Sequence, residues 1–462
     1  MLFNSFIFII IFLPLSLFFY FVFNRYSNKM AEVFLLLMSW WFYAYSVPAY
    51  LLVILSSIIV NYSITRMMNK RTVGRKALFI IGLCFDVGLI GYYKYLNFVL
   101  WNSNYFLHTD FVIKSIILPL GISFYTIQQI SFLIDAYRGD KTDYDFVQYA
   151  LYVSFFPQLV AGPIVYHTEF LPMLQDKQRR IVNYENLTRG LMWFTLGLSK
   201  KVFLADRLGK AVEWGYTDVS VLTCADAWLV MLSYAFQIYF DFSGYSDMAC
   251  GIALMFNFEL PQNFNSPYKS LSIRDFWKRW HMTLTRFLTA YVYIPLGGNR
   301  KGKTRLVLNT LIVFLISGIW HGANYTFILW GLLHGMLSVM NRAFSDVGKR
   351  IPVALKWVVN FTFVSILWAL FRAEGIGQWL HFMTRLVSFD GMKLSTDVKG
   401  VFDSYLPWWF LLIASFVICL LSENNYNRKI RLSVPRVIGY AGLLALCLFT
   451  LNRTSIFLYF NF

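Results

Sequence analysis

From Ser5 to Phe23 the chain carries no charged side chain, and the same holds from Leu306 to Trp320. About 20 mostly apolar residues suffice to carry a helix across the hydrocarbon layer of a bilayer. With no water there to satisfy the backbone, only helices or closed barrels can span it. Apolar runs recur at 5–23, 31–47, 49–68, 77–99, 113–135, 148–165, 186–204, 225–256, 306–340, 353–371, 405–422 and 437–460. The pattern predicts an all-α polytopic membrane protein with roughly ten to twelve membrane segments. Composition points the same way. Only 14% of the 462 residues are charged and 58% are hydrophobic, whereas soluble domains carry about 25% charged residues. Mean hydropathy is +0.54.

The formal charge of +17 suggests nucleic acid in a soluble protein. Here the basic residues track the ends of the apolar runs, which is the positive-inside pattern of cytoplasmic loops facing anionic lipid. Arg25 with Lys29, the Arg66–Lys76 cluster, Arg138 with Lys141, and Lys177 with Arg179 and Arg180 all read as cytoplasmic. No basic residue precedes the first apolar run and no small-residue cleavage site follows it, so it reads as a retained span with its N-terminus outside. Segment 148–165 lies between two basic loops and contains Pro157, Gly162 and Pro163. A re-entrant segment or two short spans fit it. Five cysteines without CxxC spacing imply buried apolar residues and no disulfide framework. No internal repeat and no long hydrophilic linker divide the chain, so residues 1–462 read as a single membrane domain. Residues 373–404 form a polar stretch that reads as outside, with an interfacial amphipathic piece.

Residues 262–305 concentrate chemistry. Lys269, Arg274, Lys278, Arg279, Arg286, Arg300, Lys301, Lys303 and Arg305 face the single acid Asp275, and Phe276, Trp277, Trp280, Phe287, Tyr291 and Tyr293 interleave with them. The spacing predicts an amphipathic helix on the cytoplasmic leaflet with its basic side chains snorkelling to lipid phosphate. Some of those cations also suit an anionic cofactor such as coenzyme A. His281 lies in this helix beside Trp280. On spacing alone, packing explains it better than catalysis.

His321 is different. It ends the uncharged run Leu306–Trp320, and a helix of sixteen residues from Arg305 rises about 24 Å. An ionisable residue within a membrane segment marks a functional site by default. Gly318, Gly322 and Asn324 around it suggest a protein-lined cavity. The competing reading is a histidine hydrogen-bonded between helices for packing. His334 is weaker evidence of the same kind. His108, His167 and His381 fall in loop-like sequence.

Three runs carry a family resemblance: Asp275-Phe-Trp-Lys-Arg-Trp-His281-Met-Thr-Leu, Tyr293-Ile-Pro-Leu-Gly-Gly-Asn-Arg300 and Gly318-Ile-Trp-His321-Gly-Ala-Asn324. Pro119-Leu-Gly-Ile-Ser-Phe-Tyr-Thr-Ile-Gln128, Phe155-Phe-Pro-Gln-Leu-Val-Ala-Gly-Pro163, Asp241-Phe-Ser-Gly-Tyr-Ser-Asp247 and Phe457-Leu-Tyr-Phe-Asn-Phe462 extend it through nearly the whole chain. Together they resemble the membrane-bound O-acyltransferase family, in its bacterial branch that acetylates alginate, other exopolysaccharides or peptidoglycan. The family core corresponds to about residues 115–345. The resemblance implies that His321 is the family's catalytic histidine and His281 its second histidine. It also implies a helical ring pierced by a tunnel between a cytoplasmic donor and an extracytoplasmic acceptor. Thr289-Ala290 replace an Arg-Asp pair of many relatives, and Val165-Tyr166 stand where a basic residue is frequent. Both departures bear on acceptor-side contacts.

Acyl transfer from a thioester to a hydroxyl needs a base for the alcohol proton and donors for the oxyanion. The expected base is His321. The expected donor is acetyl-CoA or another acyl-carrier thioester, beside Lys278, Arg279, Trp280, Trp320 and Asn324. No metal or bound cofactor is expected. The expected partners are the lipid bilayer, an extracytoplasmic polysaccharide and an extracytoplasmic acetyltransferase that completes the transfer. The expected place is the bacterial cytoplasmic membrane. A transporter or flippase would also place polar groups at mid-membrane, but would show repeated halves. A non-catalytic scaffold of a polysaccharide export complex is the third reading.

Overall fold

The computed structural model describes residues 1–70, 73–140, 142–346, 350–388, 394, 408–426, 433–451, 457 and 458. Among them the chain is helical, with no strand. Its main helices are α1 (Ile7–Tyr26), α2 (Asn28–Ala44), α3 (Ala49–Lys70), α4 (Arg75–Leu107), α5 (Ile122–Arg138), α6 (Phe146–Ser154), α7 (Tyr184–Ser199) and α8 (Cys224–Met255), followed by α9 (Ile273–Trp277), α10 (Met282–Leu288), α11 (Gly302–His321), α12 (Tyr325–Ala343), α13 (Val353–Arg372), α14 (Ile376–Val387), α15 (Trp408–Leu421) and α16 (Val434–Thr450). Among the described residues, α1, α3, α4, α11 and α13 are long and apolar enough to cross a membrane, and α15 and α16 are shorter apolar helices.

Several apolar runs divide where the sequence breaks them. The run 306–340 becomes the pair α11 and α12, separated at Gly322 to Asn324. Segment 148–165 becomes α6, one turn at Phe156–Leu159 and then irregular backbone, buried from Tyr149 to Val165. That is the form expected of non-helical backbone sheltered by protein. In the polar stretch 373–404, α14 is the amphipathic piece, with Phe382 and Leu386 buried. Of the rest of that stretch, only 388 and 394 lie within the described residues beyond α14, and most of Phe457–Phe462 lies outside them.

The chain packs as two compact units, one of residues 1–196, 245–261 and 437–461, the other of 197–244 and 262–436. In the first unit, Phe8, Phe12, Phe42 and Phe156 interlock as an aromatic core with ring centroids 5.3–6.1 Å apart. Helix α4 lies close on α5 because Gly82 has no Cβ; an added one would fall 2.7 Å from Leu133. Burying a polar group without a partner is costly, and one such group here is paired: Asn61 Nδ2 donates to Asp86 Oδ1 at 2.8 Å. His167, whose sequence context reads as a loop, instead begins a helix and is fully buried, with Nε2 3.4 Å from Asp135. Sequence gives no sign of this because the partner acid is thirty-two positions away.

In the second unit α11 and α12 form a tight antiparallel pair. Gly318 and Gly331 face each other, and a Cβ on either would fall 2.3 Å from the carbonyl oxygen of the opposite helix. Small residues at such seams let backbones meet closely in membranes. Helix α13 packs along α12, and Trp330 and Trp368 are fully buried and stacked at 5.8 Å. Lys201 is buried between Asp206 (2.9 Å) and Asp241 (2.6 Å), the pairing a buried cation requires. The five cysteines are free thiols, with Cys84 exposed and the other four buried.

Candidate active site

The single amphipathic helix expected over Asp275 to Tyr293 is not formed. Helix α9 stops at Trp277, and α10 starts only after His281, whose φ of 45° is left-handed. A non-glycine residue there costs about 1–2 kcal/mol, and the neighbouring strand-like segment compensates it. The Met282 N–H donates to Asn263 O and the Asn265 N–H to Arg279 O, both at 2.9 Å. The apolar residues Phe276, Trp277, Trp280, Leu284 and Phe287 are buried in the protein, while Arg274, Lys278 and Thr289 are exposed. The apolar residues are spaced for one helix, but the second helical turn is lost to these two backbone bonds from distant sequence.

Asn263 also fixes the histidine. Its Oδ1 accepts from the Thr283 N–H (3.3 Å) and the Thr283 hydroxyl (2.9 Å), and lies 3.1 Å from His281 Nδ1. A carbonyl oxygen only accepts, so the proton sits on Nδ1 and the Nε2 lone pair remains. Burial pushes the His281 pKa down to about 3. Burial therefore favours the neutral ring. The Phe242 ring lies edge-on at 4.9 Å.

His321 is the last residue of α11, 5% exposed, with Gly322 beyond it in extended backbone. Its imidazole is caged by Trp320 (4.9 Å), Trp330 (5.2 Å) and Phe371 (5.2 Å). Trp320 also stands 6.0 Å from His281. The fold thus brings the two histidines, forty positions apart in sequence, next to one indole.

The predicted donor contacts separate. Lys278 lines a cavity of about 240 Å³ together with Arg274, Trp277, Ser317 and Arg342. Ser317 is one helical turn before His321 on the same face. Neither histidine lines this cavity. Arg279 is turned to Asp275, with Nε 2.9 Å from its carboxylate. Trp280 is buried against Phe276 and Trp368. Asn324 caps α12 by accepting from the Thr326 N–H, and its amide donates to Glu374 O. Sequence reasoning missed Asn263, Trp330, Phe371 and Arg342. It also undervalued His334, which is fully buried and accepts at Nδ1 from the Trp277 indole N–H at 3.2 Å. The one signal for His334 was its place thirteen residues beyond His321 on the apolar run.

The fold thus sets one histidine in an aromatic cage at the end of an apolar helix, a second histidine beside the same indole, and a cationic cavity that reaches Ser317, one turn before the first. Residues 54–373 match the model of MBOAT, the membrane-bound O-acyltransferase family, and the chain belongs to that family. It is accordingly a multi-pass membrane protein and an O-acyltransferase. It is 37% identical to a peptidoglycan O-acetyltransferase of Helicobacter pylori, over 100% of this chain and 98% of that one. It is 36% identical to a probable alginate O-acetylase of Pseudomonas aeruginosa, over 94% of this chain and 84% of the relative. A teichoic acid D-alanyltransferase of Bacillus subtilis is 25% identical over 54% of this chain and 64% of its own length.

Proposed function

We propose that this O-acyltransferase moves an acetyl group from a cytoplasmic thioester, acetyl-CoA, to a hydroxyl of an extracytoplasmic polysaccharide of the cell envelope, in a bacterial cytoplasmic membrane with the chain's N-terminus outside. The names of the relatives supply the acetyl group and the polysaccharide class. The observation that carries the reading is the placement of His321 at one end of the apolar helix α11, with Arg274, Lys278 and Arg342 on the cavity that reaches Ser317.

His321 takes the proton of the acceptor hydroxyl as that oxygen attacks the thioester carbonyl. The tetrahedral intermediate collapses, the C–S bond breaks, and the imidazolium returns the proton to the leaving thiolate. His281, neutral and fixed in its Nδ1–H form, presents an acceptor lone pair and positions the reacting groups. The three cations hold the donor's phosphates through charge-assisted hydrogen bonds. The acceptor is a polysaccharide hydroxyl, reached directly or through an extracytoplasmic acetyltransferase that carries the acetyl onward.

Purified protein in proteoliposomes with acetyl-labelled acetyl-CoA tests this. Label on a polysaccharide hydroxyl supports direct transfer, and label recovered only with the partner supports relay. Loss of labelling in His321→Ala, with the protein still folded, is required. Normal labelling by His321→Ala removes the base assignment, and accumulation of label inside the vesicles without acyl transfer favours a transporter.

A further inference from the structure

A second and larger cleft, about 570 Å³, opens between the last turns of α12 and the first turns of α13. Leu337, Met340 and Phe344 from α12 face Leu355, Val359 and Phe363 from α13 across it. Met340, Phe344, Leu355 and Phe363 are each about half exposed, which on helices in a bilayer leaves them open to acyl chains. The spacing 355, 359, 363 puts one α13 stripe along the wall. At the mouth the lining changes character. Arg274 and Lys356 supply two positive charges, with Ser272, Asn341 and Ser345 as neutral hydrogen-bonding groups, and no acid is among the lining residues described. The Asn360 amide, on the floor, is committed to Ser270 at 3.0–3.1 Å.

An elongated apolar slot with a cationic, hydroxyl-rich mouth fits a molecule that has both an acyl chain and an anionic head. We propose that this cleft is a specific site for an anionic phospholipid, with an acyl chain between α12 and α13 and the phosphate on Arg274 and Lys356. The charge rule puts this end of the helices, where Arg342 and Arg350 also lie, on the cytoplasmic side. That leaflet is the one rich in anionic lipid, and basic pockets between helices there suit anionic head groups. Arg274 lines this cleft and the smaller cavity alike. A lipid phosphate on Arg274 therefore fixes the orientation of a side chain that also borders the neighbouring cavity, so lipid occupancy tunes whatever that cavity binds.

Native mass spectrometry of the purified full-length chain, equilibrated with phosphatidylglycerol and phosphatidylcholine of equal chain length, reads the site directly. The expected result is one retained phosphatidylglycerol in preference to phosphatidylcholine. Lys356→Gln lowers that preference about fivefold, corresponding to about 1 kcal/mol per basic residue at the membrane surface. Val359→Trp, which fills the slot, lowers retention of the preferred lipid while leaving the unfolding midpoint near that of the parent. Equal retention of the two lipids by the parent chain overturns the proposal, as does a preference that survives both substitutions. Displacement of the lipid by millimolar inorganic phosphate alone also overturns it, since the site would then be one for free anions. The readout is lipid retention, so the outcome is independent of whether the smaller cavity takes the acyl donor.

Discussion

Gly318→Ala adds one methyl group at the seam that aims His321. The new Cβ would fall 2.3 Å from Phe327 O and 3.2 Å from Gly331 Cα, where ordinary contact begins near 3.4 Å. Both obstacles are backbone, so no side chain can swing aside. Helices α11 and α12 must part by about 1 Å, because packed interiors hold no slack to absorb it. Overpacking of this kind costs about 1–3 kcal/mol, more than the gain of up to about 1 kcal/mol from a better helix former. His321 lies less than one turn beyond, and the Trp330 that cages it is next to Gly331. A displacement of about 1 Å at a reacting group costs on the order of 10²-fold in rate. The assay is labelled acetyl transfer by purified protein in proteoliposomes at saturating donor, paired with a thermal melt. The expected result is kcat down about 100-fold with the donor KM little changed, and a lower unfolding midpoint. Gly331→Ala, whose Cβ would fall 2.3 Å from Phe314 O, should behave alike. Gly335→Ala is the control: its nearest neighbour, at 3.1 Å, is the end of the Leu311 side chain, which can turn aside, and Phe314 Cβ at 3.2 Å asks for a shift of only a few tenths of an ångström. A Gly318→Ala protein with parental kcat and midpoint refutes the claim that this seam positions the base.

Asn263→Ala strips one oxygen that serves three donors. Each buried donor left unsatisfied costs about 1–3 kcal/mol, so a clear loss of stability and of activity is expected, and an unchanged melt and rate would count against the tautomer assignment. His281 has a pKa lowered from 6.5 to about 3; the unfolded chain therefore takes up a proton before the folded one does, and stability falls as pH drops from about 6.5 toward 3. Melts across that range should flatten in His281→Asn relative to the parent, and parallel curves would sink the claim. Lys278→Ala should raise the donor KM about tenfold with kcat held, by loss of one charge-assisted bond, whereas Arg279→Ala, already committed to Asp275, should leave it near the parental value; steady-state kinetics that reverse this order refute the cavity as the donor site.

Much of this was legible in the chain itself. Charge-free runs announce helices in lipid, and those at 49–68, 306–340 and 353–371 became helices close to where they were drawn. Family motifs pointed to two histidines. What the motifs do not carry is how the histidines are held, since that depends on partners far away in sequence. Asn263 lies in a segment with no periodicity, and its bond to His281 exists only because two backbone contacts pull Arg279 to Met282 out of helix. The interleaved pattern at 275–293 favoured one continuous helix, and local spacing cannot register a competing strand-like partner eighteen positions upstream. His167 fails for the same reason, its acid being thirty-two positions away on α5.

The break at His281 explains more than its own geometry. A continuous helix from Ile273 to Leu288 would stack Lys278 and His281 on one face, nearly one turn apart. Ending α9 at Trp277 instead leaves Lys278 on the cavity wall with Arg274, while the left-handed turn swings His281 inward to Asn263, Phe242 and Trp320. One segment thereby serves both a cationic cavity and an aromatic cage. A helix offers a single apolar face and a single polar one, and the strained residue is where the chain departs from that limit. Strain of this kind persists only where surrounding contacts over-determine it, and here the fixing oxygen of Asn263 supplies such contacts at His281 and Thr283. The same reasoning orders the substitutions: His281→Gly relieves the strain but deletes the ring, whereas Asn263→Ala keeps the ring and strands three buried donors, so a positioning role for the ring demands a larger loss of rate per unit of lost stability in His281→Gly.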